Sequence, residues 1–300
     1  MKIAFFGDVH GCVLHALAGA VTLARREAVE LDAVIQVGDL GAFPSPAEWD
    51  EAGHRFGADN PAQSDFFRLL NPSPRLAEGV RLALQQIPPF LFRSGNHEDH
   101  RWLAGLHDAS AAAVTPVDPL GAYHHTTCGH IADIAGQRIA FLGKIEWPES
   151  MDLDHEAYTR LMTLEPGSVD ILVTHDGPYG MSSWRGTTQG SRKLTELIER
   201  LQPRLHISGH YHHQNGPRRY GATTSYALAQ LIPPKVRRRD SLPINPRQQI
   251  APGSIGLLDT RTYAFEYIHS PWLADIHGDQ LDLAALVARR ERCKGTGPRS

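Results

Sequence analysis

Cysteine is scarce in this 300-residue chain: Cys12, Cys128 and Cys293 are odd in number and widely spaced. That spacing excludes a disulfide framework and a cysteine-based zinc site, and a reducing, cytoplasmic compartment fits it best. Long apolar runs are missing as well. Only Ile3 to Gly7 separate Lys2 from the charge of Asp8, too short a run for a signal peptide, and no stretch approaches the roughly 18 apolar residues of a membrane span. Net charge is also small. With 30 Lys and Arg against 33 Asp and Glu the balance is -3, so any affinity for nucleic acid or an anionic membrane has to be local. Against 4 Met and 5 Trp stand 17 histidines, which directs attention to metal sites. Hydrophobic content of 41% with 21% charged residues belongs to an ordinary globular chain able to bury a core.

Short apolar runs end repeatedly at a glycine or a polar turn. Lys2 to Phe6 stops at Gly7, and Gly11 to Arg26 then carries Val13, Leu14, Leu17 and Val21 at helical spacing. Asp32 to Val37, Pro89 to Arg93, Asp170 to Val173 and Arg204 to Ile207 read as further buried strands. Leu194 to Leu201 reads as a helix closed by Pro203. Strands alternating with helices predict a layered α/β fold, with site residues just past strand C-termini. A hairpin is expected about Ala135-Gly136-Gln137, and another from Ile255 to Leu258 and Thr262 to Ile268. Residues 42–88 look like an insertion of loops and short helices, 233–252 like a Pro-rich basic excursion, and 289–300 like a frayed basic tail. Candidate ligands run from Asp8 to His212, so one domain over 1–270 with a C-terminal extension at 271–300 is expected.

Five motifs follow five of these strands: Gly7-Asp8-Val9-His10-Gly11, Gly38-Asp39-Leu40-Gly41, Gly95-Asn96-His97-Glu98, Thr174-His175-Asp176 and Gly209-His210-Tyr211-His212. A Gly-Asp or Gly-His pair after a strand is usually only a turn. Five in this order are hard to obtain by chance. Apart from His97 they offer two carboxylates, one amide oxygen and four imidazoles. Mixed nitrogen and oxygen donors suit Mn, Fe, Zn or Ni, and the lack of thiolate argues against a structural zinc site. A carboxylate shared by two divalent ions holds them roughly 3.5–4 Å apart, where both can clamp a phosphate and activate water.

The series resembles the calcineurin-like metallophosphoesterase superfamily, with its D-x-H, G-D, G-N-H-D/E, lone H and G-H-x-H pattern, and every core position is matched. The resemblance implies a four-layer α/β/β/α sandwich of two packed mixed sheets. It implies two divalent metal ions, one held by Asp8, His10, Asp39 and His212 and the other by Asp39, Asn96, His175 and His210. His97 would stay off the metals and act on the phosphate or as acid to the leaving oxygen, with Asn96 and Asp39 also at the reaction centre. Ala251-Pro252-Gly253-Ser254-Ile255-Gly256 is similar to a strand found after the last histidine in small phosphodiesterases of the superfamily, so the likeness covers roughly residues 2–268.

One departure bears on substrate. Protein Ser/Thr phosphatases of the superfamily follow the bridging aspartate with D-R-G, whose arginine grips phosphate; here Leu40-Gly41-Ala42-Phe43 offers none. Arg185, Arg192 or Lys193, in a glycine-punctuated loop, could supply a clamp instead, against the plainer reading of a solvated loop. The long insertion, the Gly95-Asn96-His97-Glu98 form and His175-Asp176-Gly177-Pro178 are similar to the RNA lariat debranching branch, although that branch often carries cysteine in the first motif where this chain has Asp8. Trp184 and Tyr211 could stack on a base or simply pack. His100, His107, His124, His125 and His130 read as surface or supporting groups, His213 as a neighbour of the site's edge, and Asp176 as a partner orienting His175 or His210. Lys235 to Arg239 and Arg289 to Arg292 are basic clusters that could meet phosphate or be solvated.

The expectation is therefore an enzyme hydrolysing a phosphate ester through a metal-bridged hydroxide, with a nucleotide or nucleic-acid (RNA or DNA) phosphodiester favoured over a phosphoprotein. The alternatives are a protein or small-molecule phosphomonoesterase and, less favoured because no ligand is missing, a catalytically silent metal-binding scaffold. Membrane association is not expected. Oligomeric state is not legible.

Overall fold

The computed structural model describes residues 1–146, 152–235 and 244–288. A seven-stranded mixed sheet runs in the order Ala264–Tyr267, Ile255–Asp259, Lys2–Phe6, Ala33–Gln36, Phe90–Phe92, Tyr123–Thr126 and Val114–Pro116. The second sheet has six strands in the order Asn215–Tyr220, Thr223–Ala227, Leu205–Ser208, Ile171–Thr174, Gln137–Leu142 and Ile131–Ile134. Its Ile131–Ile134 and Gln137–Leu142 strands form the expected hairpin, as do Ile255–Asp259 and Ala264–Tyr267 in the first sheet.

Alternation along the strands sorts the core into three slabs. Ile3, Phe5 and Ile35 of the first sheet meet Phe141, Val173 and Ile207 of the second. On the reverse face of the first sheet, Ala4, Phe6 and Val34 pack under helices Val13–Arg26, Asp65–Leu70 and Pro74–Leu84. On the reverse face of the second, Ala140, Leu142 and Leu172 pack under helices His155–Met162 and Arg192–Leu201. Because the central strands Lys2–Phe6, Ala33–Gln36, Ile171–Thr174 and Leu205–Ser208 are buried on both faces, helices must cover the outside, and the result is the expected α/β/β/α sandwich.

Helix Arg192–Leu201 shows how local sequence suffices. Ser191 caps it by accepting the Leu194 N–H, Leu194, Leu197, Ile198 and Leu201 supply the buried stripe, and Gln202 ends it in a left-handed conformation. Helix Val13–Arg26 is buried over most of its length because insertion helices cover the side that the sheet does not. The insertion folds as expected into short helices, Glu51–Gly57, Asp65–Leu70 and Pro74–Leu84, with two single 3-10 turns.

Residues 271–288, read from sequence as an extension, contribute Trp272, Leu273, Ile276 and Leu283 to the same core as helix Val13–Arg26. The basic tail 289–300 with Arg289 to Arg292, Cys293, and the 236–239 part of the other basic cluster lie outside the described residues. Among the described residues no helix is long and apolar enough to cross a membrane. Cys12 and Cys128 are unpaired thiols.

Candidate metal centre

Strands Lys2–Phe6, Ala33–Gln36 and Phe90–Phe92 are parallel neighbours, so Asp8, Asp39 and Asn96 emerge side by side from their C-terminal ends. Ile171–Thr174 and Leu205–Ser208 are parallel neighbours in the other sheet and deliver His175 and His210 in the same way. The loops are then stitched together. Asp39 O accepts from the N–H groups of Val9 and His10 at 2.9 and 2.8 Å, Gly209 N donates to His175 O at 3.0 Å, and Gly7 N donates to Ser254 O at 2.9 Å. The Ser254 contact gives the Pro252-Gly253-Ser254 stretch its place: it braces the first motif from behind.

All eight expected side chains converge. One donor atom each from Asp8, His10, Asp39 and His212 lie within 4.8 Å of one another, a group that could hold a metal ion. His10 Nε2 and His212 Nε2 stand 3.1 Å apart, and His212 Nε2 is 3.2 Å from Asp8 Oδ2. Beside this group, His175 Nε2 lies 3.1 Å from Asn96 Oδ1 and 3.3 Å from Asp39 Oδ2, with the His210 ring 5.2 Å from that of His175.

Asp39 joins the two groups. Its Oδ1 accepts from the backbone N–H of Asn96 and of His97, each at 2.8 Å, while its buried Oδ2 makes no hydrogen bond of good geometry and faces the imidazoles of His175 at 3.3 Å and His10 at 3.9 Å. An ionised buried oxygen left in that state costs several kcal/mol, roughly, unless a cation or proton meets it. The donor set and this orphaned oxygen fit divalent ions on either side of Asp39.

Charge reinforces the fit. Burial opposes ionisation of Asp8 and Asp39, but the surrounding imidazoles outweigh it and hold both carboxyls below the usual carboxylate range. Burial depresses His10 to about 4, leaving a neutral ring with a lone pair to offer. His175 goes the other way. Burial pulls it down, yet the Asp39 carboxylate lifts it to about 10, so a proton there occupies the electrostatic role a cation beside Asp39 would take.

The loop backbones are unusual. His10, Asp39, His210 and His212 all have positive φ, between 45° and 70°. Such conformations cost of order 1–3 kcal/mol each outside glycine. Two of the motif glycines have a different reason to be glycine: a Cβ at Gly95 would stand 2.2 Å from Asp39 Oδ1, and one at Gly209 2.2 Å from Asp8 Oδ1. Each carboxylate lies against bare backbone.

The His97 ring stands 5.5 Å from that of His10. Its Nδ1 is hydrogen-bonded to the Asp50 carboxylate. Burial lowers its affinity for a proton, but Asp39 and Asp50 together raise it to about 9. Sequence reasoning missed Asp50. It lies in the insertion, where only its place before a short helix, whose Gly53 N–H it caps, distinguishes it. Glu98 was not singled out either: it is buried, accepts the Leu40 N–H at 2.6 Å, and so supports the loop carrying Asp39. Burial and the Asp39 charge push it up to about 8.

Several peripheral expectations need correction. Asp176 does not orient His175 or His210 through a hydrogen bond; its oxygens take the Tyr211 hydroxyl at 2.6 Å and the N–H groups of Gly177 and Glu146. The backbone turn after His175 claims it, and His175 Nδ1 faces Val37 O at 3.2 Å instead. Tyr211 is thereby tied down as a packed group. Of the two readings for His125 the supporting one holds: it is buried and bridges Ser94 Oγ and His107 Nε2 at 3.0 and 2.8 Å. His213 bonds Ser182 Oγ at 3.1 Å.

The three basic residues expected to meet substrate do not converge on the donor cluster. Lys193 pairs with Asp152 at 3.0 Å, and the Arg192 guanidinium lies over the Tyr179 ring, 4.1 Å from its centroid. Arg185 packs over Trp184 at the exposed turn between strands Ser182–Trp184 and Thr187–Gln189.

Several known proteins resemble all or part of this chain. UPF0046 protein K07C11.7 of Caenorhabditis elegans is 39% identical over 66 residues, 22% of this chain and 23% of that protein. Metallophosphoesterase domain-containing protein 1 of Homo sapiens is 37% identical over 73 residues, 23% of this chain and 22% of that protein. The chain thus spans less than a quarter of the length of each of these curated relatives. Among solved structures, TT1561 of Thermus thermophilus aligns over 89% of this chain and 97% of that one at 16% identity, with a TM-score of 0.47. The family model described as calcineurin-like phosphoesterase matches residues 1–214, most of the chain and every candidate ligand, and the chain belongs to that family.

Proposed function

We propose that the chain hydrolyses a phosphate ester with two divalent ions, one held by Asp8, His10, Asp39 and His212 and the other by Asp39, Asn96, His175 and His210. The observation that carries this reading is the division of the Asp39 carboxylate, with Oδ1 pinned by two N–H groups and Oδ2 facing one imidazole of each donor set, His175 at 3.3 Å and His10 at 3.9 Å. When bound, such ions would polarise the phosphoryl oxygens and lower the pKa of a water held between them. Their identity is drawn from Mn, Fe, Zn and Ni, since only nitrogen and oxygen donors are present.

The protein's own groups do the rest. Asp39, Asn96 and His97 sit at the reacting phosphate. Asp50 orients His97 by accepting its Nδ1–H, which leaves the Nε2–H to contact a phosphoryl oxygen or protonate the departing oxygen. We favour a nucleotide or nucleic-acid phosphodiester as substrate. The stretch after Asp39 supports this against a phosphoprotein, because Leu40, Ala42 and Phe43 are buried and offer no phosphate-gripping arginine. Arg185, Arg192 or Lys193 would have to leave Trp184, Tyr179 or Asp152 to take that part. A single domain over about 1–270, with 271–288 packed on it, and a cytoplasmic setting complete the reading.

Hydrolysis of bis-p-nitrophenyl phosphate with Mn²⁺ tests it, alongside a panel of monoesters, cyclic nucleotides and single-stranded or branched RNA. Turnover should vanish in His97→Ala and Asp39→Asn. Full activity in pure Asp39→Asn protein, or fewer than one metal ion per chain with no turnover, would overturn it.

A further inference from the structure

Next to the candidate metal centre lies a cleft of about 370 Å³ that the motifs do not explain. It opens past the C-terminal ends of strands Phe90–Phe92, Tyr123–Thr126 and Gln137–Leu142, the same end of both sheets that carries the donor cluster. Ser94 in its wall is two residues from Asn96, at most about 7 Å between Cα atoms. Lys144 is held to that wall by its N–H, which donates to Ser94 O at 2.9 Å.

Arg93, His100 and Lys144 line the cleft. Arg93, only 8% exposed, gives one terminal nitrogen to Thr126 O and the other to Ser94 Oγ at 2.7 Å, yet its buried Nε has no partner. Both ring nitrogens of His100 are likewise buried and unpartnered. Lys144 makes no side-chain ion pair among the described residues. These three groups are close enough to feel one another, since burial and then the charges of Lys144 and Arg93 depress His100 to about 4. The acids in the lining are placed differently. Asp154 spends its carboxylate capping the helix that starts at His155, and Asp108 and Glu156 are exposed at the rim.

A guanidinium fixed by two hydrogen bonds, a neutral imidazole and a free ammonium around one polar cleft form a receptor for an oxyanion. We propose that this cleft is a subsite for a second phosphate group carried by the same substrate whose scissile phosphate sits at the donor cluster. The proposal rests on the phosphoesterase reading, and it narrows the substrate to esters bearing two phosphates in reach of one another. Lys144, Arg93 and His100 then act as specificity residues rather than catalytic ones.

The first test needs neither metal nor turnover, so its failure is separable from failure of the phosphoesterase reading. Full-length protein in EDTA is acetylated with and without adenosine 3′,5′-bisphosphate, and modification at each lysine is read by mass spectrometry. Protection of Lys144, beyond any at the ion-paired Lys193 and Lys235, is the expected result. Equal modification with and without the bisphosphate overturns the subsite, and so does protection by inorganic phosphate alone, which would make it a site for a free anion. The second test is kinetic. Lys144→Gln should raise KM for a two-phosphate ester about tenfold more than KM for bis-p-nitrophenyl phosphate, as loss of one charge-assisted contact implies. Equal effects on both esters would show a structural role and overturn the proposal.

Discussion

His97 turns its Nδ1 to the carboxylate of Asp50, a residue 47 positions upstream in the insertion. The insertion therefore does more than cover helix Val13–Arg26: it supplies the carboxylate that holds the His97 ring. Asp50→Asn keeps the helix cap on Gly53 but removes the charge. We expect kcat on bis-p-nitrophenyl phosphate to fall by about 10- to 100-fold with bound metal unchanged, the size typical of losing a partner that orients a functional histidine. Wild-type kcat in this variant would show that the pairing is idle.

Gly209→Ala should separate geometry from chemistry. The added methyl would stand 2.2 Å from Asp8 Oδ1, so Asp8 must move although no donor has been removed. Because Asp8 also accepts the His210 N–H, the whole fifth loop shifts with it. Bound metal, measured by plasma mass spectrometry, should drop, and activity should fall at least about tenfold for a displaced ligand. Unfolding in urea will show a loss of about 1–3 kcal/mol for the overpacked contact.

Metal binding should stabilise the fold. Asp8 and Asp39 are buried together, and four loop residues are held at positive φ. An ion that binds only the folded chain adds about 2.7 kcal/mol per site at a hundred times its Kd. Thermal unfolding in EDTA should therefore occur below that in Mn²⁺. The gap should narrow in Asp39→Asn; an equal gap in that variant would place the stabilising ion elsewhere.

Acid sensitivity should come in part from His206. It is buried between Thr174 Oγ1 and Ser225 Oγ, each at 2.7 Å, and burial depresses it from 6.5 to about 3. Below about pH 6.5 the unfolded chain takes up a proton that the folded chain refuses. Stability is thus intact above 6.5 and is lost progressively as pH falls toward 3. Between pH 7 and pH 5 this one group should cost about 2 kcal/mol. His206→Gln, which cannot titrate, should lose correspondingly less over that interval in urea titrations of the metal-free protein. Parallel slopes would remove His206 from the account.

Much of the fold was legible because its signals are local. Apolar runs such as Ile3 to Phe6 and Ile171 to Val173 had to be two-faced strands, and Ser191 with the Leu194-Leu197-Ile198-Leu201 stripe had to start and fill a helix. What was missed depends on contacts between distant segments. Nothing near Trp272 or Leu283 says that these side chains enter the core beside Val13–Arg26, and nothing in His125 says that it bridges Ser94 and His107. Likewise Lys193 looked available for phosphate until the fold brought Asp152 within 3.0 Å of it.

The amino-acid sequence by itself determined the donor chemistry: two carboxylates, an amide and four imidazoles, each delivered by a strand end, with glycines where a side chain would collide with a carboxylate. Tertiary structure alone decided how those donors are used. The unsatisfied Oδ2 of Asp39, the grip of Asp50 on His97 and the donor-lined cleft at Arg93, His100 and Lys144 exist only once two sheets bring their strand ends together. The reason is physical: which atoms a short motif offers is a local property, whereas burial and the pairing of charge depend on what the rest of the chain packs against it.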